Sequence, residues 1–75
     1  MNKQRRANLS QALTYLKAAM EIVNDVKRDE EDAMNNMPEN LQESERYYIL
    51  EENVEALDAI ADSIDEVCDT IDELL

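Results

Sequence analysis

Seven carboxylates, Glu51, Glu55, Asp58, Asp62, Asp65, Asp69 and Asp72, follow one another at alternating steps of four and three residues. On a helix that spacing lines them up along one side. Glu52, Glu66 and Glu73 lie between them, and no lysine or arginine interrupts the row. Carboxylates arranged this way have little covalent chemistry of their own, but they form a rigid line of negative charge. Such a line attracts basic partners and speeds their capture. Regular negative charge on a rod can also imitate a phosphate backbone, which points to a basic, nucleic-acid-binding protein as the partner. The ordinary alternative is a solvated face that keeps a small protein in solution. Solvent-facing helices usually intersperse Lys with Glu, because like charges at i and i+4 repel. Seven carboxylates without counter-ions therefore weigh towards a use for the charge.

The remaining residues offer no equipment for catalysis. Histidine is absent, which removes the commonest general base and the imidazole metal ligand. Glycine is absent too, so no glycine-rich loop can cradle a phosphate. Cys68 has no basic neighbour to activate it. The cluster Asp29-Glu30-Glu31-Asp32 has neither the spacing nor the glycine of a calcium loop. The expectation is a protein with no enzymatic activity, cofactor or metal. A net charge of −12 argues against direct contact with nucleic acid, where affinity comes from Lys and Arg.

The acidic row rides on a heptad pattern. Tyr47, Leu50, Val54, Leu57, Ala61, Ile64, Cys68, Ile71 and Leu75 step by three and four throughout, which is the a/d seam of a buried helix stripe. With Tyr47, Val54, Ala61, Cys68 and Leu75 at a, the g positions hold Asn53, Ile60, Val67 and Leu74. Three apolar positions in seven describe a helix packed in a bundle, wider than a two-stranded zipper. A buried core thiol is the expected role of Cys68 at an a position, with an interchain contact as the alternative.

A second stripe precedes it. Leu9, Ala12, Leu16, Ala19, Val23 and Val26 again step by three and four, with Leu13 and Met20 on one flank and Tyr15 and Ile22 on the other. Asn8 or Ser10 can cap this helix, leaving residues 1–6 as a frayed basic leader. The pattern thins after Val26 and is expected to end near Asn35. The one clear break is Asn35-Asn36-Met37-Pro38-Glu39-Asn40, since a proline pushes the residue before it out of the helical region. Either an Asn40–Glu43 capping box or Ser44 can start the next helix. The boundaries are then about 8–35 and 44–74, with a turn over 36–43 and one domain spanning 1–75.

So short a connection folds the helices back on each other. Charge supports an antiparallel pair: residues 1–28 carry six bases against two acids, and residues 29–75 one base against 17 acids. Aligned about the turn, Arg6 would approach Glu73, Lys17 Asp62 and Lys27 Glu52. One partner helix covers only an a/d seam, so Leu13, Met20, Ile22, Ile60, Val67 and Leu74 would remain wet as a candidate apolar interface. The predicted fold class is all-α, an antiparallel two-helix hairpin pairing into a four-helix bundle as a homodimer. Tyr47 and Tyr48, beside the turn, are expected to pack over the hairpin end, with an interface role as the alternative.

No apolar run approaches the roughly 20 residues that span a bilayer. The basic N-terminus lacks the apolar core of a signal peptide, and a single cysteine does not suggest a disulfide framework. A soluble, cytoplasmic protein is expected.

The segment Met37-Pro38-Glu39-Asn40-Leu41-Gln42-Glu43-Ser44-Glu45-Arg46-Tyr47, followed by acidic heptads such as Ala56-Leu57-Asp58-Ala59-Ile60, resembles small acidic helical-hairpin proteins of low-GC Gram-positive bacteria. These are common in phages and other mobile elements, and often have glycine where this chain has Glu43. The resemblance covers the turn and the second helix. It implies a helical hairpin and a mobile-element setting, in which an acidic module could inhibit a basic host protein, and it carries over no activity.

Overall fold

With one proline and no glycine, little interrupts helix formation. The computed structural model, which describes residues 1–75, accordingly contains two long helices. Helix α1 spans Lys3–Asn35 and helix α2 spans Glu45–Leu74, joined by a single 3-10 turn at Glu39–Leu41. They pack side by side as an antiparallel hairpin, a thin rod of 60 × 14 × 12 Å.

Helix α1 begins well before residue 8. Asn2 is its N-cap, with the side-chain oxygen accepting from the Arg5 amide at 2.8 Å. The Arg6 amide donates to the Asn2 carbonyl, and Gln4 donates to Asn8 along the helix. Residues 3–6 are therefore helical rather than a frayed leader, and neither Asn8 nor Ser10 serves as the cap. Three bases in the first turn oppose the helix dipole. An Asn cap is worth about 1 kcal/mol, and no residue between Lys3 and Asn8 breaks the helix.

The turn closes as an ordered unit. Asn36 and Met37 donate to the last carbonyls of α1, and Leu41, Gln42 and Ser44 bond back to Pro38, Glu39 and Leu41. Ser44 caps α2, its hydroxyl accepting from the Tyr47 amide at 3.3 Å. The Asn40–Glu43 capping box does not form, because Asn40 lies inside the 3-10 turn.

The seam of α2 follows the predicted track. Tyr47, Leu50, Val54, Leu57, Ala61, Ile64, Cys68 and Ile71 are its covered residues, and only Leu75, at the end, is exposed. Cys68 is 3% exposed, the most deeply covered residue of the chain. The seam of α1 is rotated from the predicted one. It runs Leu9, Leu13, Leu16, Met20, Val23, Lys27, Glu30 and Met34, with Ala12 and Ala19 on its flank and Val26 exposed. Leu13 is thus buried and Met20 half-buried in the seam, and neither is part of a wet strip. The larger side chains of the two competing tracks take the interior, where they remove more apolar area from water.

Past Val23 the α1 seam turns polar. The Lys27 ammonium reaches Asp58 of α2 at 2.8 Å and Glu31 at 3.8 Å, and Asn53 donates to Glu30 at 3.1 Å. These contacts set α2 four to six residues further along than the Lys27–Glu52 alignment. Arg6 and Lys17 form no ion pair with Glu73 or Asp62; the third ion pair, Arg28–Asp25, lies within α1. The difference arises at the turn, where α1 stops at Asn35 and the first turn of α2 overhangs it. Leu50 consequently packs near Ala33 and Glu30.

Two consequences can be measured. Leu13→Ala should lower stability by about 2–3 kcal/mol, the low end for a buried leucine because the site opens towards solvent. Ala12→Ser should change it by less than about 0.5 kcal/mol, and thermal unfolding at one protein concentration compares the two. Lys27 is held above its ordinary value near 10.5, chiefly by its hydrogen bond to Asp58, while desolvation pulls the other way. Its contribution is then fully present below that ordinary value and lost as pH rises through the raised one. Alkaline titration followed by circular dichroism should show a loss of stability above pH 10.5 that is smaller in Lys27→Met.

Candidate protein-interaction faces

Heptad geometry divides the surface of the hairpin into two lateral faces. In α1 the a positions are Leu13, Met20, Lys27 and Met34, and the d positions Leu9, Leu16, Val23 and Glu30. In an antiparallel pair, g faces g and e faces e across the seam, so one side of the rod is built from g and c positions of both helices. The opposite side is built from e and b positions. The contacts agree with this division. Val26, Asn53 and Ile60, all at g, line one groove, and Lys27 meets Asp58, at e, on the other side.

The e/b face of α2 carries the predicted carboxylates Glu51, Glu55, Asp58, Asp62, Asp65, Asp69 and Asp72, every one exposed. Glu52, Glu66 and Glu73 lie beside them at the adjoining f positions, also exposed. Of these ten, only Asp58 forms an ion pair. The structure therefore brings the acidic row together on one side with one charge neutralised. No group of three or more His, Cys, Asp or Glu side chains converges as a metal site.

The g/c face is apolar. Tyr15, Ile22 and Val26 of α1 and Ile49, Ile60, Val67 and Leu74 of α2 are all exposed on it. The other exposed large apolar residues are Met1 and Leu75 at the ends and Leu41 and Tyr48 at the turn. Of the predicted strip, Ile22, Ile60, Val67 and Leu74 lie here, about half or more exposed. Tyr15, Val26 and Ile49 were not in the predicted strip and belong to it. Their signal was present in the sequence: Tyr15 and Ile22 share the c position one heptad apart, as do the g residues Ala12, Ala19 and Val26. Small residues at g on α1 leave the face shallow, with a groove of about 330 Å³ between Val26, Asn53 and Ile60. A larger groove of about 550 Å³ follows towards the turn, lined by Ala33, Pro38, Leu41, Arg46 and Leu50.

Tyr47 lies in the seam and Tyr48 beside it on the surface, their rings edge to face at 6.1 Å. No helix is long and apolar enough to cross a membrane. Comparison with protein-family models, curated proteins and solved structures gives no match to this chain.

Proposed function

We propose that this chain is a non-enzymatic protein-interaction module. Its acidic e/b face captures a basic, nucleic-acid-binding protein by standing in for a phosphate backbone. The setting suggested by the turn motif is a phage or mobile element acting on a host protein in the cytoplasm. The observation that carries the reading is charge density. Nine exposed carboxylates outside any ion pair, six on the e/b face and three at the adjoining f positions, lie between Glu51 and Glu73, over about 33 Å of axis at 1.5 Å per residue. That is about one charge per 3.7 Å, beside about 3.4 Å along each strand of B-DNA. A helix held straight by its partner presents these charges without the entropy loss of ordering a flexible acidic tail.

A second reading has its own observation. Apart from Tyr48 in the first turn of α2, every large apolar side chain left exposed along the two helices between the ends of the rod lies on the g/c face. Pairing two hairpins through that face gives a four-helix bundle, and the protein then acts as a self-assembling adaptor whose acidic face serves solubility. The two readings are compatible as structures and opposite in salt dependence. Capture of a basic partner weakens as salt screens the attraction, whereas pairing of two chains of net charge −12 strengthens.

A lysine-rich histone bound to fluorescent duplex DNA provides the test. The chain should displace the DNA at low salt and lose potency roughly tenfold or more between about 50 and 200 mM salt. Asp62→Lys, Asp65→Lys, Asp69→Lys and Asp72→Lys combined should abolish displacement while circular dichroism shows the helices intact. Asp58 is left unchanged because it holds Lys27. Displacement that survives the four reversals would sink the phosphate-mimic reading.

A further inference from the structure

The apolar face has an internal symmetry that specifies how it would be covered. Charged residues on the g/c positions are few: Arg5 and Asp29 on α1, and Arg46 in the first turn of α2. Neither Arg5 nor Asp29 forms an ion pair within the chain. They are equidistant from residue 17, and so are the other g/c positions of α1. Tyr15 matches Ala19, and Ile22 matches Ala12, each a large side chain set against a small one, while Val26 matches Asn8. A second α1 laid antiparallel across the first at that level would place Arg5 against Asp29 of the second copy, twice by symmetry.

Helix α2 points to the same axis independently. The contacts Lys27–Asp58 and Glu30–Asn53 put residue 17 of α1 level with about residue 67 of α2. Val67 is itself a g residue, exposed on this face. The g positions one heptad to either side of it are Ile60 and Leu74, both exposed and apolar. Antiparallel packing about Val67 would set Ile60 of one copy against Leu74 of the other.

We infer that two copies of this chain pair through their g/c faces about a two-fold axis crossing the rod at the level of Lys17 and Val67, α1 on α1 and α2 on α2, turns at opposite ends. This rests on the pairing reading above and adds its geometry. The area is of the right size. A compact chain of 8.7 kDa exposes about 4,700 Å², whereas this rod exposes 5708 Å². The excess of about 1,000 Å² compares with the roughly 800 Å² per partner of a standard stable interface. In this arrangement the acidic faces point outward on opposite sides, so the dimer offers two of them.

Charge reversal with sedimentation equilibrium tests the register. Arg5→Glu should weaken the dimer roughly tenfold, because two exposed ion pairs become two repulsions. Asp29→Arg should weaken it comparably, although it takes each chain from −12 to −10 and would otherwise ease association. The double variant Arg5→Glu/Asp29→Arg should return to within about threefold of the parent. On mild oxidation V67C, made with Cys68→Ala, should cross-link into a covalent dimer, since the two copies of position 67 meet at the axis. A parent dimer that Asp29→Arg strengthens, with no V67C cross-link, overturns this register while leaving pairing intact; the parallel arrangement with α1 on α2 would behave that way. A parent that stays monomeric at all salt concentrations overturns both the register and the pairing.

Discussion

Two helices share one seam, and a seam covers little more than two positions in seven. Everything notable about this hairpin follows from a sequence that is apolar at more positions than that. Only Leu13, Ala61 and Cys68 are buried, and no side chain is sealed off completely. The a/d residues of α2 are covered along one edge, and the g residues Ile60, Val67 and Leu74 stand half exposed beside them. A larger protein would bury such residues under a third layer. Residues 1–75 contain no element that supplies such a layer. Small single-core domains are marginal for this reason, and this one leaves its g/c face exposed.

Within the hairpin the more delicate matter is register. The α2 heptads are near-copies, and an acid occupies every e position from Glu51 to Asp72. Lys27 would therefore find a carboxylate after a slip of one heptad in either direction. Glu30 would lose its partner on a slip towards the C-terminus, because Asn53 is the one polar residue in the g series from 53 to 74, whereas a slip the other way would set it beside Arg46. A slip towards the C-terminus would set the Glu30 carboxylate beside Ile60 and leave it unpaired on a half-covered surface, which is unfavourable. The Lys27–Asp58 pair thus supplies attraction and the Glu30–Asn53 hydrogen bond discriminates against a slip towards the C-terminus. A polar residue at a core-facing position has this role in coiled coils, fixing alignment at some loss of apolar contact.

How far the sequence disclosed this arrangement differs between the helices. The α2 seam was legible residue by residue, since the heptad track there meets no polar residue from Tyr47 to Leu75. In α1 two tracks overlap, sharing Leu9, Leu16 and Val23 and differing in whether Ala12, Ala19 and Val26 or Leu13, Met20 and Lys27 fill the alternate positions. An all-apolar track favours the first. Side-chain size favours the second, and size prevails because Lys27 can lay its methylene stem along the seam while its ammonium reaches Asp58. The start of α1 is less legible for a simpler reason: the apolar stripe begins at Leu9, while the cap at Asn2 lies two turns earlier. The exposed, helical placement of the acidic row was legible, since its spacing and its helix were both plain.

The two lateral faces are joined by a physical dependence. Carboxylates repeated every three or four residues along α2 repel one another and weaken the helix that carries them. Within the chain, Lys27 alone offsets one of them across the seam. The rest of the opposing free energy has to come from packing, and the a/d seam is narrow. Covering the g/c face adds apolar burial to the same helix without touching a carboxylate, because the e/b positions lie on the far side of the rod. The charge proposed to attract a basic partner is thus carried by a helix that would gain most from burial of the apolar face behind it. Were the proposed pairing of two copies to supply that cover, its loss on dilution would loosen the acidic row as a rigid array before any carboxylate was changed, linking the concentration of the chain to the capture proposed for that row.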